Sequence, residues 1–249
     1  MKKVFVLLSF NFAILISIAA QYQDSLSKNE ELVSAQSQYY NPISIKSVFI
    51  PAFLIGYGSF AQANDELRAF DKSVKEELWT DPVHHPVTID NYLQYAPGFS
   101  VFGLRAAGIS GKNNLKDETF LYLMSNLVMG AVVNPMKYAT HVQRPDGFGR
   151  NAFPSGHTAT AFVGAEFLNQ EYKDRSAWYS VAGYTVATGV GFLRIYNNRH
   201  WSRDVVAGAG IGMLSTKFTY WLYPKIKNAL TEKRELRKEG VYAMSHFSN

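Results

Sequence analysis

Three short stretches hold residue types that together could handle a phosphate group: Lys137 with Arg144-Pro145, the run Pro154-Ser155-Gly156-His157, and Arg194 with His200 and Asp204. Lys137 and Arg144 stand seven residues apart. On a continuous helix they would share nearly one face, so both cations could reach one anion. Pro145 pushes the preceding residue out of the α region, which puts Arg144 at a helix end or in the following loop. Pro154 to His157 runs into an apolar segment and reads as a helix start. There, free backbone N–H groups bind an anion without side-chain charge. Gly156 permits close backbone approach, and the Ser155 hydroxyl can donate a hydrogen bond. His157 beside a bound group could deliver a proton to a leaving oxygen. His200 and Asp204 are spaced one helical turn apart, so their side chains can meet. A carboxylate on one imidazole nitrogen leaves the other free to attack phosphorus, and it stabilises the charge that then develops. The planar fork of Arg194 suits two phosphate oxygens at once.

Each stretch also has an ordinary structural explanation. A lysine and an arginine at this spacing commonly lie on a solvated face. Pro-Ser-Gly-His could be a helix cap carrying a surface histidine, and an isolated His/Asp pair on a helix is usually structural. Joint order and spacing favour the chemical reading.

The elements that must position these residues are helical. Apolar segments at roughly 89–109, 119–133, 158–168, 177–193 and 205–223 show no sustained alternation, and their lengths suit helices. Ahead of them, Asn64 reads as an N-cap followed by Asp65 and Glu66. Leu67, Phe70, Val74 and Leu78 then repeat at helical spacing among charged residues, which predicts an amphipathic helix lying against something apolar. Pro82, His84, His85 and Pro86 break that pattern into a loop. Small residues crowd the run Val205 to Gly212, where low bulk permits close helix contact.

The chain of 249 residues suffices for one substantial core. Lys2 and Lys3 precede an apolar run that closes on Ser17-Ile18-Ala19-Ala20, the pattern of an export signal over 1–20. An uncleaved anchor is the competing reading. Residues 21–46 read as a flexible polar leader, 47–228 as the folded domain and 229–249 as a charged C-terminal tail. Loss of the signal takes Lys2 and Lys3 with it and lowers the formal balance from +5 to +3. That mild charge, with aromatics confined to apolar segments, excludes nucleic acid as a partner. The absence of cysteine excludes disulfides, a thiolate nucleophile and Cys-ligated metal. Most apolar segments fall short of the roughly 20 residues needed to cross a bilayer. The best candidate for crossing, 205–223, carries Lys217, and a central lysine costs about 2.5–3.5 kcal/mol on insertion. A soluble or peripheral protein is therefore expected, with membrane-surface contact left open.

The three stretches resemble the signature of the phosphatidic acid phosphatase type 2 superfamily, which also contains the class A acid phosphatases and the vanadium haloperoxidases. That pattern is Lys, six residues, Arg-Pro; then Pro-Ser-Gly-His; then Ser-Arg, five residues, His, three residues, Asp. It is met by Lys137, Arg144 and Pro145, by Pro154 to His157, and by Arg194, His200 and Asp204. The one departure is Leu193, where the family often has serine.

The resemblance implies an all-α bundle. It also implies that Lys137, Arg144, Arg194, Ser155 and Gly156 bind phosphate, that His200 is the nucleophile, and that Asp204 orients it. His157 becomes the acid and then the base that activates water. Three fixed cations make a metal or other cofactor unnecessary. The substrate expected is a lipid-linked phosphate of the bacterial envelope, with lipid A ahead of undecaprenyl diphosphate or phosphatidate, handled in the periplasm. Competing readings are a soluble broad-specificity periplasmic acid phosphatase, a vanadium haloperoxidase and a non-catalytic phosphate-binding protein. Arg150, Arg199 and Arg203 are expected to be solvated, with recognition of a second phosphate as the alternative. His84, His85 and His141 are expected in loops or at the surface.

Overall fold

A computed structural model describes residues 45–80 and 85–246, with side chains described as far as residue 231. The predicted signal and nearly all of the leader lie outside these residues, as do His84 and the tail's side chains beyond residue 231. The described residues fall in one compact unit, Ile43–Asn249. They form eight α-helices and no strand: α1 (Ile45–Ala63), α2 (Asp65–Lys75), α3 (Asp90–Leu93), α4 (Ala96–Ala106), α5 (Leu115–Thr140), α6 (Gly156–Tyr172), α7 (Ala177–Tyr196) and α8 (Ser202–His246). The expected all-α bundle is what is found.

Polar side chains start several of these helices. The Asn64 carboxamide accepts from Leu67 N at 2.9 Å, Asn114 accepts from Asp117 N at 3.0 Å, and the Ser176 hydroxyl accepts from Trp178 N at 3.3 Å. α6 lies at the centre, packed against α4, α5, α7 and α8, while α8 also supports α1 and α5. Central placement explains why α6 is buried nearly all round rather than along one stripe. Val163 and Phe167 of α6 join Val101, Leu121, Met129 and Ile211 in the main core. At roughly 1.5–3 kcal/mol for each large apolar side chain taken from water, such residues hold the helices in place.

Five expectations need correction. The segment 89–109 is two helices, because Pro97 occupies the first turn of a new helix, where its missing N–H costs nothing. α5, α6, α7 and α8 all outrun their apolar segments, and α8 continues past Pro224. α1 was not anticipated. On α2, Phe70 is exposed, and the residue buried on that helix is Asp71, whose carboxylate accepts from buried Arg203. Arg203 is thus a buried ion-pair partner rather than a solvated cation.

Lys217 is the fifth case, since its ammonium meets buried Glu166 at 2.7 Å inside the bundle. Its charge is therefore no obstacle to apolar surroundings. Among the described residues, α5 is long and apolar enough to cross a membrane, and only 22% of its most apolar window is buried. Leu123, Leu127 and Val132 of α5 and Phe49, Ile50 and Phe53 of α1 are exposed.

Candidate active site

The first turn of α6 forms the floor of the site. Ser155 caps it from extended backbone (φ −70°, ψ 114°), and its hydroxyl oxygen accepts from the Thr158 hydroxyl at 2.9 Å. Its backbone N–H donates to the Asp204 carbonyl at 2.9 Å, which ties this turn to the start of α8. The close approach depends on Gly208, where a Cβ would stand 2.5 Å from the Ser155 carbonyl oxygen.

Lys137 projects from the last turn of α5. Its ammonium donates to the Asn151 carbonyl at 2.7 Å, and its Cε is 3.8 Å from where a Gly156 Cβ would sit. The helix ends at Thr140, with His141 left-handed (φ 48°) and exposed. The loop that follows is braced by Arg144 N to Gly149 O at 3.1 Å and Ala152 N to Val142 O at 2.9 Å. Arg144 is accordingly a loop residue, as Pro145 predicts, and its Nε is buried with no hydrogen-bond partner. Arg194 comes from the last turn of α7. Its Nη1 meets the buried Asp90 carboxylate at 2.6 Å, and its Nε likewise lacks a partner.

His200 follows a turn in which Asn198 is left-handed (φ 57°) and the His200 N–H donates to the Arg194 carbonyl at 3.2 Å. It precedes α8 rather than lying on it, so it shares no helix with Asp204. The Asp204 carboxylate accepts from the Trp201 N–H at 2.9 Å and from Gln62 at 3.2 Å, and it lies 3.7 Å from His200 Nδ1. The partner at hydrogen-bond distance of Nδ1 is the Ala152 carbonyl, at 2.8 Å. A carbonyl only accepts, so Nδ1 carries the proton and Nε2 keeps its lone pair. Asp204 contributes by charge at short range more than by a direct bond.

Half-buried His157 is held at Nε2 by the Asn91 carboxamide oxygen at 3.0 Å. Burial pushes its pKa down to about 4, Arg194 lowers it further, and Asp90 opposes the shift. Burial also lowers the pKa of His200 against the opposing pull of Asp204. Both imidazoles are therefore neutral near pH 7. His200 lies within electrostatic reach of Lys137 and Arg194, and His157 within reach of Arg194, Arg144 and His200. The three stretches thus meet in one place, with three cations around two neutral imidazoles. That arrangement can bind a phosphate, present a nitrogen lone pair to it and move a proton.

Other expected residues make their contacts outside this cluster, although the charge of Arg199 is felt at Arg194. Arg199 pairs with Asp146 at 3.0 Å, Arg150 is exposed, and so is His85. Sequence reasoning missed Asp90, Asn91 and Gln62. Asp90 lies 104 residues from the arginine it holds, at the edge of a segment read as an apolar helix. Its one local signal is an acidic residue in a first turn. Among the described residues no three His, Cys, Asp or Glu side chains are grouped to hold a metal ion.

Residues 118–228 match the sequence profile of the PAP2 superfamily. A lipid A 1-phosphatase of Porphyromonas gingivalis is 40% identical over 153 residues, which is 61% of this chain and 34% of that protein. A bacitracin transport permease protein, BcrC, of Bacillus licheniformis is 37% identical over 76 residues, covering 30% of this chain and 36% of that one. The chain thus spans about a third of the length of these curated relatives. The crystal structure of a transmembrane PAP2-type phosphatidylglycerolphosphate phosphatase from Bacillus subtilis shares the fold at a TM-score of 0.50 and 18% identity. The match covers 73% of this chain and 96% of that one.

Proposed function

We propose, on the premise that residues 118–228 belong to the PAP2 superfamily, that this chain is a phosphatase that works through a phosphohistidine at His200. The observation that carries this reading is the Ala152 carbonyl on His200 Nδ1, which leaves Nε2 as a nucleophile within reach of Lys137 and Arg194, with Arg144 beside Lys137. In the first step the Nε2 lone pair forms a bond to phosphorus. The bond to the leaving oxygen breaks with its electron pair, and that oxygen takes a proton from His157. In the second step a water oxygen attacks phosphorus while His157 takes its proton, and the P–N pair returns to His200.

The cations bear the charge on the transferring group, and Asp204 stabilises the imidazolium side of the reaction. A bound phosphate dianion favours protonated His157, offsetting the effect of burial when the acid is needed.

The substrate in this reading is a lipid-linked phosphate of the bacterial envelope, lipid A first, then undecaprenyl diphosphate or phosphatidate. Support comes from the likeness to a lipid A 1-phosphatase and from the exposed apolar faces of α5 and α1, which suit contact with acyl chains. α5 enters the membrane, and the N-terminal segment directs the chain to the envelope. The slightly negative mean hydropathy favours a second reading, a soluble periplasmic acid phosphatase of broad specificity.

Phosphate release from micellar lipid A compared with p-nitrophenyl phosphate separates the two, and a strong preference for the soluble ester would sink the lipid assignment. A phosphohistidine trapped on the wild type should be absent from His200→Ala, and activity should survive a chelator. A labelled intermediate persisting in His200→Ala would overturn the mechanism.

A further inference from the structure

α3 lies outside the matched segment 118–228, yet two consecutive residues of its single turn grip the site. The Asp90 carboxylate holds Arg194 Nη1 at 2.6 Å, and the Asn91 carboxamide oxygen meets His157 Nε2 at 3.0 Å. A second tie anchors the strand of chain leading into α3. The Asn197 side chain accepts from the Val87 N–H at 2.8 Å and donates to the Val87 carbonyl at 2.7 Å. The turn that follows Arg194 therefore fixes the segment that reaches back to His157.

We infer that Asn91 is a positioning residue that sets the protonation geometry of His157, so that Nδ1 is the nitrogen that gives and takes the catalytic proton. This inference rests on the phosphatase reading above. A carboxamide oxygen has no proton to offer, so its bond to Nε2 exists only when Nε2 carries one. Neutral His157 then has its lone pair on Nδ1, and the imidazolium has its transferable proton there. In the first step Nδ1–H passes its proton to the leaving oxygen as the P–O bond breaks. In the second, Nδ1 takes a proton from the attacking water as the P–N bond to His200 breaks. Nε2–H stays on Asn91 throughout.

The two histidines are thus locked in opposite tautomers. The Ala152 carbonyl holds the proton of His200 on Nδ1, and the Asn91 carboxamide holds that of His157 on Nε2. One ring presents a lone pair at Nε2 for attack while the other presents Nδ1 for proton transfer. An acceptor at the remote nitrogen also stabilises the imidazolium, as a carboxylate or carbonyl behind a catalytic histidine does.

The test uses the full chain with phenyl phosphate and p-nitrophenyl phosphate, whose leaving groups differ in their need for a proton. The ratio kcat/KM includes only the steps through phosphoenzyme formation, so water activation does not enter it. Asn91→Ala should lose kcat/KM for phenyl phosphate by about 10- to 100-fold, part of the 10²–10⁴-fold that a positioned proton donor supplies. The loss for p-nitrophenyl phosphate should be several-fold smaller. Asn91→Asp keeps an acceptor and adds a charge, so it should recover most of the phenyl phosphate activity and move the pH limb belonging to His157 upward. Far-UV circular dichroism and the unfolding midpoint identify a variant that fails to fold, in which case Asn91→Ser serves instead.

An equal loss for both esters, or none, would overturn the role of Asn91 and leave the phosphatase reading intact. ¹⁵N NMR of His157 in the wild type gives a readout independent of turnover. Neutral His157 protonated at Nε2 supports the inference, and protonation at Nδ1 refutes it. A wild type inactive on every phosphate ester while showing the Nε2–H tautomer would remove the phosphatase reading and keep Asn91 as the group that orients this ring.

Discussion

The first turn of α6 carries His157, and its last carries Glu171 and Tyr172, about 21 Å away along the same helix. Charged side chains gather at both places. At the far end none of the buried side-chain nitrogen and oxygen atoms described lacks a partner. Arg105 donates from Nε and Nη2 to Glu118, both at 2.6 Å, and also to the Asn113 carbonyl. Asn113 donates its backbone and side-chain N–H groups to Glu171 at 2.8 and 2.6 Å, Tyr220 donates to Glu171 as well, and the Tyr172 hydroxyl donates to Ile109 O at 2.7 Å. At the near end Arg144 Nε, Arg194 Nε and Asp90 Oδ1 are buried without partners. A closed network fixes helices against one another. The two open arginine N–H groups are stable only because surrounding packing holds them, and they can still gain energy from an anion.

The largest expected difference between the two ends comes from truncating an arginine at each. Arg105→Ala leaves Glu118 buried and unpaired, which should cost about 3–5 kcal/mol of stability. Denaturant unfolding should show this, with phosphatase activity per folded molecule unchanged. Arg144→Ala, whose Nε binds nothing in the folded chain, should lower kcat by about 10²–10³-fold with little change in the unfolding midpoint. If Arg144→Ala proved the more destabilising of the two, the division of labour between the ends would collapse.

Gly208→Ala probes the scaffold under the open end. Its methyl group would stand 2.5 Å from the Ser155 carbonyl, so a loss of about 1–3 kcal/mol is expected together with reduced activity, because the capping turn must shift. An unchanged kcat/KM in this variant would show that the turn tolerates displacement.

The smallest effect lies in the pH dependence of stability. The pKa of His157 falls from 6.5 to about 4 on folding, so between these values the unfolded chain binds more protons and stability rises with pH. The melting temperature should therefore climb between about pH 4 and 6.5. The His157→Gln variant should flatten that slope in part, because His200, also lowered, contributes with the same sign. A slope steeper in the variant than in the wild type would contradict the burial of the ring as its cause.

Much of the near end was legible in the chain because its parts are local. Ser155 is a cap followed by a helix, Pro145 keeps Arg144 out of a helix, and the order of Lys137, Arg144, His157, Arg194, His200 and Asp204 needs no knowledge of folding. What escaped was non-local. The 104-residue separation of Asp90 from Arg194 carries no periodic signal. The pairing of Lys217 with Glu166 turned an argument from charge on its head. Apolar patterning also misjudged α2, since Phe70 faces out and the buried position on that helix belongs to Asp71, whose partner Arg203 lies on α8.

Residue order and helix-forming pattern by themselves determined a helical fold and a candidate site of two histidines, three cations and a capping turn at fixed spacings. Those properties depend on neighbours within a few turns, which any single segment already contains. Only the tertiary structure decided which atom of each histidine is free. The carbonyl of Ala152 and the carboxamide of Asn91 reach their imidazoles across 48 and 66 residues, and a hydrogen bond of about 3 Å exists only after the bundle has closed.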